Sequence, residues 1–157
     1  MKALMKPLLL SLLLGVTLTL PGVAGAQNYP DSIKQTVAAA KKQVKVVNME
    51  QFKAGYDKKD LGVIIDVRNP DEYATGHVAG AVNVSRGLLE FTIWDEVGYP
   101  EKTDMNKKMT LYCKTGGRAA LAAKALQDLG FTNVTTADMK IEEWIKAGYS
   151  SAKGAQP

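Results

Sequence analysis

Short runs rich in apolar and β-branched residues alternate with amphipathic segments along most of the chain. The run at 62–67 is continuously apolar up to its end, which is typical of a strand covered on both faces. Similar short runs predict strands at residues 44–47, 81–84, 109–112 and 133–136. Segments with helical spacing or helix-capping residues predict helices at residues 31–44, 48–55, 69–76, 118–129 and 138–148. This alternation predicts an α/β fold, with a mainly parallel five-stranded sheet and helices on both faces.

Capping residues place several of the helix ends. Asn48 and Asn69 each begin a capping-box pattern, and Asp138 is predicted to cap the last helix. Residues 86–91 are expected to form a helical turn. The pattern dissolves over residues 92–108, which predicts a long loop, with or without a helical turn, in which Trp94 either lines a site or covers the core.

The first 26 residues have the layout of a secretory signal peptide. Lys2 and Lys6 precede the apolar run 8–20, and Ala24-Gly25-Ala26 is a small-residue cleavage site. The run has 13 residues, fewer than the roughly 20 that span a bilayer, which argues against an uncleaved anchor. We therefore expect a periplasmic or secreted protein, with no stable membrane insertion after the signal is removed.

The rest of the chain is long enough for one domain with its own core. Residues 27–44 are expected to form a helical extension, either a packing helix or a clasp on a second subunit. Residues 45–149 are expected to form the α/β domain, and residues 150–157 a loose tail. The leading helix and the long loop are the candidates for a homodimer contact. Without the signal, the formal charge falls from +4 to +2 and no dense basic stripe remains, so nucleic acid is not an expected partner.

The segment after the predicted strand 109–112 carries the candidate chemistry. Cys113, the only cysteine, stands at the carboxyl end of that strand, where ligand sites form in open α/β sheets. The loop that follows consists of Lys114, Thr115, Gly116, Gly117 and Arg118. The two glycines allow a tight turn with inward N–H groups, which together with the helix N-terminus and the two basic side chains stabilise a sulfur anion. A buried, inert thiol is the alternative.

Three ordered motifs resemble the rhodanese-like sulfurtransferases, over about residues 45–149. The loop from Cys113 to Arg118 looks like the active-site loop of that family. Asp66-Val67-Arg68 together with residues 76–83 is similar to the first signature, and Gly130-Phe131 with Trp144 is similar to the C-terminal part.

A narrower resemblance and one departure qualify this match. Residues 85–90 and the Cys-Lys-Thr loop look like exported single-domain members, including the periplasmic polysulfide-sulfur transferases of bacterial sulfur respiration. Met139-Lys140 stands where the family usually carries a Gly-Gly pair, which puts the wall of the pocket in question.

The resemblance implies a double displacement through Cys113, with no cofactor and no metal. The thiolate takes the outer sulfur of a small anionic donor, thiosulfate or polysulfide, and becomes a persulfide. A thiol or cyanide then accepts that sulfur.

Five further residues have candidate supporting roles. Lys114 and Arg86 are candidates for a positive rim, although Arg86 is equally well explained as a solvated side chain. Asp66 and Arg68 are expected to form an ion pair that supports the loop, in preference to a proton-transfer role. His77, the only histidine, lacks the cluster of further ligands that a metal site needs, and in the resembled motif it sits in a turn, so a structural role is expected.

Two other functions compete with sulfur transfer. Cysteine-dependent phosphatases and arsenate reductases separate cysteine and arginine by one residue more than the four found here. One residue removes up to about 3.5 Å of chain, so the ring should be too tight for a tetrahedral oxyanion. The second rival is a slow sulfur carrier or a non-catalytic domain that binds a partner.

Overall fold

The computed structural model describes residues 29–156. The predicted signal peptide, residues 1–26, lies outside the described residues. The elements are α1 (Asp31–Gln43), β1 (Lys45–Asn48), α2 (Met49–Asp57), β2 (Val63–Asp66), α3 (Pro70–Thr75), β3 (His77–Val78), β4 (Val82–Asn83), α4 (Leu89–Thr92), a 3₁₀ helix (Ile93–Val97), β5 (Met109–Tyr112), α5 (Gly117–Asp128), β6 (Val134–Asp138), α6 (Ile141–Lys146) and β7 (Ser151–Ala152).

Five strands form one parallel sheet in the order β1-β6-β5-β2-β4. The predicted fold class is therefore confirmed, since all five runs pair as parallel strands of one sheet. Parallel strands end at a common edge, and β5 lies in the middle of the five. Cys113, the residue after β5, thus stands at the centre of the carboxyl edge.

Helices cover both faces of the sheet, and each face has its own core. Met109 and Leu111 of β5 join one core with α5, whereas Tyr112 points into the other core with Phe52 of α2 and Trp144 of α6. The Phe52 and Trp144 rings meet edge to face, 5.2 Å apart. None of the helices between residues 29 and 156 combines the length and apolarity required to cross a bilayer.

The capping role predicted for Asp138 is wrong. Asp138 does not cap the last helix: it ends β6, opposite Asn48 in the β1–β6 ladder, and α6 begins three residues later at Ile141. Strand pairing thus extends β6 beyond the local signal. Residues 93–97 form a 3₁₀ helix directly after α4, which is the helical turn that the prediction for the long loop allowed.

The expectation of a loose tail is wrong. Ser151–Ala152 pair as an antiparallel strand with His77–Val78, and the Gly154 amide donates to the Ala74 carbonyl at 3.0 Å. The indole Nε1 of Trp144 donates to the Ser150 carbonyl, also at 3.0 Å. The tail docks because β3 is buried and its backbone needs partners that water cannot supply.

Removing the residues from Ser151 onward should therefore destabilise the domain. Several net hydrogen bonds disappear and the edge of β3 becomes unpaired, so we expect the free energy of unfolding to fall by about 1–3 kcal/mol. Urea unfolding followed by circular dichroism measures the change. Lys153→Ala in the full-length chain, a change at an exposed side chain, is the matched control and should have no effect; an equally stable truncated chain would contradict the docking.

Candidate active site

Cys113 lies beneath the loop that follows β5, with only 1% of its surface exposed. It joins the core on the α5 face, in line with Met109 and Leu111. Any molecule that reacts with this thiol must reach a nearly buried sulfur atom, which favours small reagents. Burial by itself fits an inert core cysteine as well as a reactive one. The geometry of the loop has to distinguish these two interpretations.

Gly116 makes the turn into α5 possible. Its φ of +85° and ψ of −22° lie in the left-handed region, where glycine is unstrained. A Cβ at this position would also overlap the side chain of Asp138. The sequence predicted that both glycines would permit unusual backbone angles in the turn. Gly117 does not serve this purpose, because it is the first residue of α5 and has no positive φ. One glycine, not two, makes the turn.

The backbone amides of residues 114–119 are six consecutive donors without an acceptor among residues 29–156. None of them is hydrogen bonded to the Cys113 sulfur either, so they are free to bind a further atom. The last three belong to the first turn of α5, whose amides carry the positive end of the helix dipole. Successive unpaired amides of this kind bind anions, which an inert core cysteine does not require.

Arg118 does not point freely at a substrate. Its guanidinium donates two hydrogen bonds to the Glu72 carboxylate, at 2.6 and 2.7 Å. These bonds raise the pKa of Arg118 above its usual range and lower the pKa of Glu72 from 4.5 to about 2. Glu72 also closes the capping box that Asn69 begins, since its Oε2 accepts from the Asn69 amide at 3.2 Å. No spacing signal marks a pair separated by 46 residues.

The expected ion pair between Asp66 and Arg68 is present and buried. Arg68 Nη2 lies 2.6 Å from Asp66 Oδ2 and donates to the Gly76 carbonyl at 2.7 Å. Burial alone would lower the pKa of Arg68, but the hydrogen bonds and charge of Asp66 outweigh it and raise that pKa. Arg68 Nε and Nη2 donate to Asp66 and to the Gly76 carbonyl, which fits a structural role better than proton transfer.

Tyr112, directly before Cys113, is tied to the same network. Burial, and next the charge of Asp66, raise the pKa of the Tyr112 hydroxyl far above its usual value, so the group stays protonated. Its oxygen accepts a hydrogen bond from the Val78 amide at 3.0 Å. These contacts fix the last residue of β5, and with it the starting point of the cysteine loop.

Both candidate rim residues are engaged in ion pairs at the carboxyl edge. Lys114 Nζ lies 3.5 Å from Glu142 Oε1, with more than half of each side chain exposed. Arg86 Nη1 lies 2.9 Å from Glu90 Oε1, and the Arg86 amide donates to the Val67 carbonyl beside the end of β2. The structure therefore places both cations near the edge, while their role toward a donor stays a prediction.

His77 and Trp94 have structural surroundings. The His77 ring stacks on Tyr73 with centroids 3.6 Å apart, and its Nδ1 lies 2.9 Å from the Tyr73 carbonyl oxygen. Trp94 packs on the core and contacts the Phe131 ring. No group of three or more potential metal ligands occurs between residues 29 and 156.

A cleft of about 470 Å³ opens beside the cysteine loop. Its lining consists of Asn48, Met49, Glu50, Thr115, Asp138, Met139, Lys140 and Glu143. Thr115 connects the cleft to the loop, whereas Cys113 does not line it. Met139 and Lys140, the departure from the resembled pattern, form part of its wall.

The family is established by comparison with known proteins. The sequence model of the Rhodanese-like domain family matches residues 48–147, and the chain belongs to that family. The range includes the whole loop from Cys113 to Arg118.

Relatives with described activities include sulfurtransferases. The thiosulfate:glutathione sulfurtransferase of Saccharomyces cerevisiae is 27% identical over 136 residues, which are 80% of this chain and 93% of that protein. The solution structure of the polysulfide-sulfur transferase homodimer from Wolinella succinogenes has a TM-score of 0.62 and 28% identity, covering 78% of this chain and 88% of that one. A Rhodopseudomonas palustris protein of unknown function, described as a possible tyrosine phosphatase, also has a TM-score of 0.62, with 27% identity and coverage of 81% and 97%.

The Glu72–Arg118 pair should make stability depend on pH. Because the folded-state pKa of Glu72 lies below its ordinary 4.5, the pair stabilises the domain above pH 4.5, and that contribution is lost as the pH falls toward 2. Glu72→Gln should reduce the free energy of unfolding at pH 7 by about 1–2 kcal/mol, a figure reduced for solvent screening of the partly exposed pair. Urea unfolding at pH 7 and pH 3 measures it.

The difference between wild type and Glu72→Gln should shrink at pH 3. The control is Glu142→Gln, which removes a largely exposed carboxylate paired at 3.5 Å and should have little effect at either pH. A constant difference across this range would show that the pair carries no pH-dependent stability.

Proposed function

We propose that the protein is a sulfurtransferase that moves sulfane sulfur from thiosulfate or polysulfide to a thiophilic acceptor through a Cys113 persulfide. The observation that carries this proposal is the row of six amides after the only cysteine, which have no acceptor within the described part of the chain, residues 29–156. Such a row is suited to the negative terminal sulfur of a persulfide. Membership of the Rhodanese-like domain family, with sulfurtransferases among the relatives, supports the same reaction class.

The proposed reaction has two balanced steps. The Cys113 thiolate attacks the outer sulfur of thiosulfate, an S–S bond to the enzyme forms, and the S–S bond of the donor breaks with release of sulfite. An acceptor such as cyanide then attacks the terminal sulfur, leaves as thiocyanate, and regenerates the thiolate. Two easier displacements replace one difficult transfer. The amides stabilise the charge on the terminal sulfur between the two steps.

The loop length favours sulfur transfer over phosphatase or arsenate reductase chemistry. Four residues intervene between Cys113 and Arg118, and Arg118 is held by both oxygens of Glu72. A phosphatase of this kind needs its arginine to bind the tetrahedral oxyanion, and here that fork is already occupied. A slow sulfur carrier stays the second candidate, because an intact cysteine loop suits storage as well as turnover.

Exposure to thiosulfate or polysulfide should add one sulfur atom, about 32 Da, to the intact protein. Cyanide should remove this mass, and Cys113→Ala should never acquire it because no other cysteine is present. Intact-mass spectrometry measures the adduct. Thiocyanate formation over repeated cycles separates an enzyme from a carrier that loads once. If neither donor produced the adduct, the favoured hypothesis would become a non-catalytic domain that binds a partner.

Arg118→Lys should load sulfur at least about tenfold more slowly while the fold persists. Lysine keeps the positive charge but cannot make the two-pronged contact with Glu72, so the start of α5 loses its fixed position. Rates of sulfur loading and far-ultraviolet circular dichroism provide the measurement. Lys124→Met, on the same helix but in an exposed pair with Asp128, is the control; loading at the wild-type rate in Arg118→Lys would remove the loop-organising role.

Export and dimer formation complete the proposal. The proposed periplasmic or secreted location rests on the signal-like composition of residues 1–26. The proposed homodimer rests on the described dimer of the Wolinella protein. Besides the leading helix and the long loop, candidates for that contact are Leu88 and Phe91, which are 58% and 81% exposed.

A further inference from the structure

Helix α1 precedes the range that matches the family, residues 48–147, yet it reaches the cysteine loop. It packs along α5, and Val37 lies 3.7 Å from the place that a Cβ on Gly117 would occupy. One turn further along α1, Lys41 Nζ lies 2.6 Å from Asp138 Oδ2. Helix α1 therefore lies against Gly117 at the start of α5 and also contacts Asp138.

Asp138 brings a negative charge close to a loop that is built to bind anions. Its other carboxylate oxygen, Oδ1, adjoins Gly116 so closely that no Cβ would fit there. A carboxylate at this position repels both an anionic donor and the negative terminal sulfur of a persulfide. Its side chain is 42% exposed, so water screens the charge only in part.

We propose that Lys41 is a positioning residue of the active site. Its ion pair holds the Asp138 side chain against Gly116 and neutralises the carboxylate beside the anion-binding amides. This inference rests on the proposed sulfur transfer, but the effect of the Lys41–Asp138 ion pair on the cysteine loop can be measured without that reaction.

Neighbouring charges do not provide the same compensation. Lys114 is paired with Glu142 and Lys140 with Glu143, so each of these cations already has a carboxylate of its own. Lys42, the next residue of α1, is exposed and makes no ion pair within residues 29–156. Lys41 is the cation that meets Asp138, and Lys42 offers a control with the same charge on the same helix.

Alkylation of Cys113 provides a test that does not depend on sulfur transfer. Iodoacetate is an anion and iodoacetamide is neutral, but both form the same C–S bond and release iodide. In Lys41→Met the ratio of the iodoacetate rate to the iodoacetamide rate should fall about two- to fivefold, the range expected for a partly exposed pair. Sulfur loading by thiosulfate, also an anion, should slow by a similar factor.

Three matched variants distinguish the loss of the Lys41–Asp138 ion pair from a general change in net charge and from a folding defect. Lys42→Met should leave the ratio unchanged, and Lys41→Arg should retain it because the ion pair is kept. The double variant Lys41→Met with Asp138→Asn should restore the ratio, since the uncompensated carboxylate is gone. An equal fall in Lys41→Met and Lys42→Met, or no fall in either, would overturn the proposal.

Amide chemical shifts give a second measurement that does not require a reactive thiol. Nuclear magnetic resonance spectra should show displaced Gly116 and Gly117 amide signals in Lys41→Met and near-native signals in Lys41→Arg. If wild-type Cys113 proves inert to both reagents, unchanged glycine signals in Lys41→Met overturn the positioning role. If the ratio and the signals move but no variant ever loads sulfur, the proposed function fails while the role of Lys41 stands.

Discussion

The structure depends on the way in which the chain passes from β5 into α5. Only residues 113–116 separate the strand from the helix, so the backbone must reverse within a few residues. Gly116 adopts the left-handed conformation that this requires, against the side chain of Asp138. Because the connection is so short, the amides of residues 114–119 have no acceptor among residues 29–156. This property suits the loop to an anionic sulfur.

The ion pairs around the loop differ in burial and in the element that each one fixes. Asp66 and Arg68 are buried and brace the end of β2, whereas Arg118 with Glu72 is partly exposed and fixes the start of α5. Lys114 and Arg86 are each matched by a glutamate. Since the cations around the loop are compensated, attraction for an anion near Cys113 falls mainly to the backbone. The backbone cannot be neutralised by a mobile side chain, so its field is permanent.

Much of the fold was predictable because its signals are local. The apolar run at 62–67 and the alanine-rich helix after Cys113 show their structure through periodicity within a single element. The position of Cys113 at the carboxyl edge followed from its place directly after a predicted strand of a parallel sheet. The prediction was wrong where a partner far along the chain decides the outcome. Asp138 is a good helix cap by residue type, but its pairing opposite Asn48 makes it the end of a strand.

The sequence by itself determined the α/β alternation, the place of the cysteine at a strand end and a glycine-permitted turn after it, because each depends on residues within a few positions of one another. Only the tertiary structure decided which acid holds Arg118, that the C-terminal tail pairs with β3, and that α1 reaches Asp138. Those contacts join residues tens of positions apart. Their formation depends on how the sheet orders its strands, which no local pattern of residues specifies.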